Sequence, residues 1–381
     1  MLKLSNQNTH FEEEDMWKAI AIVFLIISCA IYDNFKEVVD TSSDTNYYRL
    51  NESKAELYVK NAFGIHKDSY GLLLPLNSDN SFRDQGDALI WNSVYVASLC
   101  LSDMFQDERW ELWQSIRDNL ITEEGRPYRH PSKMQGTKST SISKDGMIGF
   151  LYLGAIVKYT NCPNIVDEYP TFVERMYKYG KSNDWEYGIG NTETSVTLMA
   201  NQMSLDIVLK LYGIKHSVPV HIKDAYAALE MPALYKKLHK CQNKGEECDA
   251  AKGLGAFQIH LNYLATVIAH IGTIVNGTPR YSSEETEQFL LALSNVGLEQ
   301  GYPNWLYIAT YRHFVTKLPT YNDVNEYLSG FPAFTLPNET IGAGPYGCTD
   351  YIWQRVMPQG CSENGREYIG ADYLHAWAWT L

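Results

Sequence analysis

The sequence predicts an all-α protein, an (α/α) toroid of about six helical hairpins preceded by an N-terminal hydrophobic segment. Three observations lead there. Helical periodicity prevails from residue 53 onward, segments that are apolar almost all round alternate with segments carrying one apolar stripe, and strand signals are sparse. A helix that is apolar on all sides must be buried, whereas a striped one lies on the outside. An inner and an outer ring use both kinds. No short internal repeat marks the hairpins, so their number rests on periodicity, and an irregular helical bundle is the alternative arrangement.

The chain divides into a tail over 1–33, a linker over 34–52 and the helical domain over 53–381. After the acidic FEEED, residues Ala19 to Tyr32 form a run of fourteen uncharged residues, short of the roughly 20 that span a bilayer. Read from Met16, the stretch MWKAIAIVFLIISC resembles a bacterial lipoprotein signal, with Lys18 before the apolar run and Cys29 as its lipid-bearing residue. The implied location is exported, at the cell surface or held to a membrane through residues 17–32. The acidic residues 12–15 depart from a positive leader, and a buried first helix is the plainer alternative.

Within the helical domain, 53–64 reads as a short amphipathic helix and 87–101 as an apolar one with small residues interspersed. Residues 107–120 place Trp110, Trp113 and Ile116 at three-residue steps, so that helix belongs outside. The alternation continues with apolar segments at 145–158, 193–212, 256–275 and 303–316 and a final one in YIGADYLHAWAWTL. Amphipathic segments lie between them at 166–180, 221–240 and 283–298.

Hydrophobic and charged fractions of 45% and 20% fit a globular chain, while 27 Tyr and 9 Trp are an excess suited to sugar or peptide surfaces as well as to helix interfaces. A net charge of −13 excludes general nucleic-acid binding, which needs a dense basic face. Only the loop over 126–144 offers one, with five Lys or Arg, one His and no acid. Such a loop meets an anion, or balances the protein's own carboxylates. Of the cysteines, Cys241 with Cys248 and Cys348 with Cys361 flank loops that a disulfide can close, and Cys100 reads as a buried thiol. No paired Cys/His spacing points to a zinc site, and neither a metal nor a cofactor is expected.

Parallel inner helices open their amino termini on one end of a toroid, so the residues at those starts converge. They include Arg83 and Asp87, Lys144 and Asp145, Asn191 and Glu193, His260, Asn304 and Asp372, with Trp91, Trp185 and Trp305 as aromatic walls. Two carboxyl groups facing each other across such a mouth are the minimum machinery of glycoside hydrolysis, with a separation of about 6.5–9.5 Å for inversion. Asp87 and Asp145 form the first pair, with Glu193 as substitute for either. Each aspartate also fits a plain helix cap. The loop residues Arg126, Tyr128, Arg129 and His130 suggest a second chemistry, in which cations neutralise a uronate carboxylate while Tyr128 or His130 moves the proton in an elimination.

With SKDGMIG and GDALIW at inner helix starts and aromatic residues around them, residues 53–381 resemble the (α/α)-toroid carbohydrate-active enzymes, both glycoside hydrolases and polysaccharide lyases. The resemblance is architectural and matches no family's catalytic motif. It implies a polysaccharide or oligosaccharide partner, hydrolysis slightly ahead of elimination, and a non-catalytic glycan-binding surface protein as the alternative from another class. Terpene cyclases and lanthionine cyclases fit less well, because the Asp-rich motif of the first and the zinc-binding Cys-His set of the second are missing. Asn51, Asn276 and Asn338 stand in glycosylation sequons.

Overall fold

The computed structural model describes residues 41–77, 80–82, 87–133, 144–185, 199–218, 256–277, 282–295, 303–316, 321–330, 366–367 and 369–381. The expectations for residues 1–40, including Cys29, for the helix over 221–240, for Asn338, and for the cysteine pairs Cys241–Cys248 and Cys348–Cys361 lie outside them. The chain forms two compact units, Met1–Asn46 and Tyr47–Leu381, and the second carries everything that follows.

The described residues are mostly helical, consistent with an all-α chain. Their extended structure is a two-residue ladder, β1 (Leu76–Asn77) antiparallel to β2 (Arg366–Glu367), plus isolated bridges. In order the helices are α1 (Thr41–Ile65), α2 (Ala88–Ser102), α3 (Gln106–Leu120), α4 (Lys144–Thr160), α5 (Ile165–Ser182) and α6 (Met199–Leu211). They continue with α7 (Ala256–Asn276), α8 (Ser283–Ser294), α9 (Trp305–Tyr311, extended by a π turn over Arg312–Thr316), α10 (Asn322–Ser329) and α11 (Ala371–Ala378). None of the described helices is long and apolar enough to cross a membrane.

The part of the expected linker (34–52) that is described, residues 41–52, is corrected, because α1 is already helical from Thr41. Asn51 anchors its described part: its Nδ2 donates to the Asn325 carbonyl at 2.9 Å, and the Lys54 ammonium donates to the Ser329 carbonyl at 2.7 Å. These bonds satisfy polar groups at the end of α10, which the sequence reading did not foresee. They also bury Asn51 completely, which closes its sequon in the folded chain.

The apolar helices pack in succession. Neighbours are α2 with α4, α4 with α6, α6 with α7, α9 with α11 and α11 with α2, and α4 also meets α7. Between α7 and α9, Tyr263 stacks on Tyr307 at 4.7 Å. All six run in one direction, as particular pairs fix. At the starts, a β-carbon on Gly149 would lie 2.8 Å from the Ile90 Cα, so α4 approaches α2 as closely as backbones allow. The Trp91 ring meets His260 near the start of α7. At the ends, Asn276 of α7 donates to the Lys210 carbonyl of α6, and His313 just past α9 meets both Tyr159 of α4 and Trp379 just past α11.

A disulfide closes the far end of the α2–α4 pair. Cys100 is bonded to Cys162, with the Cα atoms 5.4 Å apart, which overturns the free-thiol reading of Cys100. Sequence separation hid the pairing, since only the parallel approach of α2 and α4 brings the two residues together.

The striped helices lie on this set, α3 on α2, α5 on α4, α8 on α7 and α9, and α10 on α9 and α11. In α3 the stripe is Leu112, Trp113, Ile116 and Leu120, all fully buried, with Asp107 and Glu108 in the first turn and Arg117 in the last, where each charge opposes the helix dipole favourably. Trp113 Nε1 donates to Glu168 of α5 at 2.9 Å, and Arg117 reaches the same carboxylate.

Candidate functional site at the helix starts

Because the apolar helices are parallel, their first residues share one end. Asp87 precedes α2 but makes no side-chain capping bond, which removes the helix-cap explanation for it. Its Oδ1 instead lies 3.5 Å from Arg129 Nη1, and both side chains are half-buried. Asp145 sits in the first turn of the adjacent helix α4, half-buried, with Oδ1 fully shielded from solvent. Leu89 of α2 packs beside Gly146, so the two aspartates occupy neighbouring helix starts. Asn304 behaves as an ordinary cap, its Oδ1 accepting from the Tyr307 N–H at 3.2 Å. Asp372 is buried at the start of α11.

One turn further in lies an aromatic and imidazole layer. Trp91 and His260 meet at 6.0 Å, and His260 stacks on Tyr263. Tyr263 Oη shares a hydrogen bond with Thr310 at 2.8 Å. Tyr152 of α4 and His375 of α11 are joined through Oη and Nε2 at 2.6 Å. Burial holds His260 down at about 3. His375 is pushed well below the usual histidine range by burial first and then by His260 nearby. Burial drives the Tyr263 phenol up. All three are therefore neutral at physiological pH, a polar but uncharged floor.

The basic loop divides its residues. Arg126 is buried, with its guanidinium 4.8 Å over the Tyr128 ring and Nη1 donating to Tyr128 Oη at 3.2 Å. Gly125, at φ +95°, lets this turn lie directly on the backbone of α5, where a β-carbon would come within 2.1 Å of Arg175. Arg129 reaches Asp87. His130 is buried against Asp68, Nε2 to Oδ2 at 2.8 Å. Of the two residues expected to move the proton in an elimination, Tyr128 lies under the Arg126 guanidinium, and His130 faces Asp68 and Ser132.

Trp305 is half-buried at the start of α9 with its ring 5.3 Å from Tyr327. Trp185 follows α5 and packs on Tyr177 at 5.9 Å. Arg83, Asn191, Glu193 and the Lys144 side chain lie outside the described residues. Sequence reading missed Asp68, Tyr152, Tyr263 and His375. The last three had a signal, a polar ring in the middle of an otherwise apolar helix. It also missed a cluster at the end of α6, where Asp206 accepts from Lys210 at 2.9 Å and pairs with His216 at 3.0 Å. Among the described residues no group of three acidic, His or Cys side chains is arranged to hold a metal ion.

No protein-family model, curated protein or solved structure matches this chain.

Proposed function

We propose that the protein is a glycan-cleaving enzyme of (α/α)-toroid architecture, an inverting glycoside hydrolase with Asp87 and Asp145 as its carboxyl pair. The observation that carries this reading is Asp87, paired with Arg129 and without a side-chain capping bond, set beside Asp145 at the common end of parallel helices, above Trp91 and His260. The succession of apolar helices from α2 to α11 and back to α2 supports an inner ring, and the striped helices supply an outer one. Asp145, with one oxygen shielded, is the acid that protonates the leaving glycosidic oxygen. Asp87, with Arg129 stabilising its charged form, is the base that takes a proton from the attacking water. Trp91 and Trp305 offer faces for sugar rings.

Elimination ranks second, because Tyr128 lies under Arg126 and His130 faces Asp68 and Ser132 rather than the Asp87–Asp145 pair. Export is part of the same proposal, and the Cys100–Cys162 disulfide supports it, since such bonds persist in oxidising compartments. The test is a panel of neutral and charged polysaccharides assayed for new reducing ends and for absorbance near ~235 nm, the region of the unsaturated product of elimination. Reducing ends without that absorbance, lost by about a hundredfold or more in Asp145→Asn and in Asp87→Asn, are expected. Full activity in both variants would sink the assignment.

A further inference from the structure

Asp68, His130 and Ser132 form a second constellation that the carboxylate pair does not use. The Ser132 backbone N–H donates to His130 Nδ1 at 3.1 Å, and a backbone N–H can only donate, so Nδ1 is the unprotonated nitrogen. The ring proton is therefore on Nε2, donated to Asp68 Oδ2 at 2.8 Å, a tautomer assigned from the bonding pattern. Ser132 Oγ lies 2.8 Å from Nδ1 and gives its proton to the same nitrogen. Asp68 is fixed in turn, because its Oδ1 accepts from the N–H groups of Tyr70 and Leu72, each at 2.9 Å. Asp68 and His130 are buried at 6% and 1% side-chain exposure, while Ser132 is exposed. The Tyr70 ring stands edge-on to His130 at 5.4 Å.

We propose that Ser132 is an acyl-accepting nucleophile, with His130 as its base and Asp68 as the positioning residue, and that the site hydrolyses short acyl esters carried on carbohydrate hydroxyls. The roles are those of a serine hydrolase triad, with the carboxylate on Nε2 and the hydroxyl on Nδ1. Ser132 Oγ attacks the ester carbon as its proton passes to Nδ1, and the imidazolium so formed faces Asp68. The same proton then leaves with the alcohol. Water, deprotonated by Nδ1, attacks the acyl-serine and releases the carboxylic acid and free Ser132, so atoms and charge balance.

The choice of a sugar as the alcohol rests on the glycan reading above, but the acyl transfer does not. Arg129 pairs with Asp87, and three residues of chain span at most about 11 Å, so Ser132 lies within reach of substituents on a glycan at the helix starts.

The experiment treats the full-length chain with a biotinylated fluorophosphonate and maps the label by peptide mass, alongside hydrolysis of 4-nitrophenyl acetate between pH 5 and 9. Labelling of Ser132 is expected, absent in Ser132→Ala, about a hundredfold slower in Asp68→Asn and partly restored in Asp68→Glu, with an altered pH profile for Asp68→Asn. Near-UV circular dichroism checks that each variant is folded. A natively folded wild-type chain that stays unlabelled, or is labelled elsewhere, overturns the nucleophile. Equal labelling of Asp68→Asn and wild type overturns the role of Asp68. Acetate release from an O-acetylated polysaccharide supports the sugar ester, and aryl-ester turnover without it overturns that part alone, leaving Asp87 and Asp145 to their own assay.

Discussion

Acid should weaken this protein well before its carboxylates titrate, because three imidazoles are buried in neutral form. His260 is fully buried and held at about 3, His270 is 2% exposed and held by burial at about 4, and burial keeps His375 well below its ordinary range. Unfolding returns each to about 6.5, so below that value the unfolded chain binds more protons than the folded one. Their contribution is complete above pH 6.5 and is lost as the pH falls toward the folded values. Between pH 7 and pH 5 each such histidine costs about 2 kcal/mol, together about 6 kcal/mol, against a typical total stability of about 5–15 kcal/mol. Urea denaturation followed by tryptophan fluorescence at half-unit pH steps reads this directly. His270→Asn isolates one contribution, since an Asn amide can keep the bond that His270 Nδ1 shares with Thr286 at 2.9 Å. In that variant the loss between pH 7 and pH 5 should shrink by about a third. A urea midpoint constant over this range, or a slope identical in His270→Asn and wild type, would refute the reasoning.

Two further outcomes follow from the packing. Replacing Cys100 and Cys162 by Ala opens a link across a sequence separation of 62, which the loop-entropy relation values at about 4 kcal/mol. The double variant should unfold at distinctly lower urea, and an unchanged midpoint would rule the link out as a stabilising element. Asn92 is completely buried with its amide bonded to both the N–H and the carbonyl of Leu73 and to the Ala88 carbonyl, so Asn92→Ala strands backbone groups and should cost about 2–3 kcal/mol. A loss under about 0.5 kcal/mol would show that water replaces those bonds.

The helices were legible because burial leaves a local trace. A run such as Ala88 to Cys100, buried at every residue, has to be apolar all round, and the stripe through Trp113 and Ile116 reports a helix with one wet face. Where the signal was weak the reading failed. Residues 41–52 look like a polar linker, yet α1 extends through them, because the buried polar side chains of Asn51 and Lys54 find acceptors on α10. That Asp87 and Asp145 stand at helix starts was legible, since such starts are visible from composition. The partition of the basic loop could not be, since Arg126, Arg129 and His130 are alike on paper and differ only in whether Tyr128, Asp87 or Asp68 lies within reach.

By itself, then, the amino-acid order determined which segments coil and which sides of them are greasy, because propensity and periodicity act over a turn or two. Tertiary structure alone decided that Cys100 meets Cys162, that Tyr152 meets His375, and that Asp68 holds His130 beside Ser132. These pairs are brought together by the parallel packing of helices and by loops crossing over them, and a contact between residues far apart in the chain has no counterpart in local pattern.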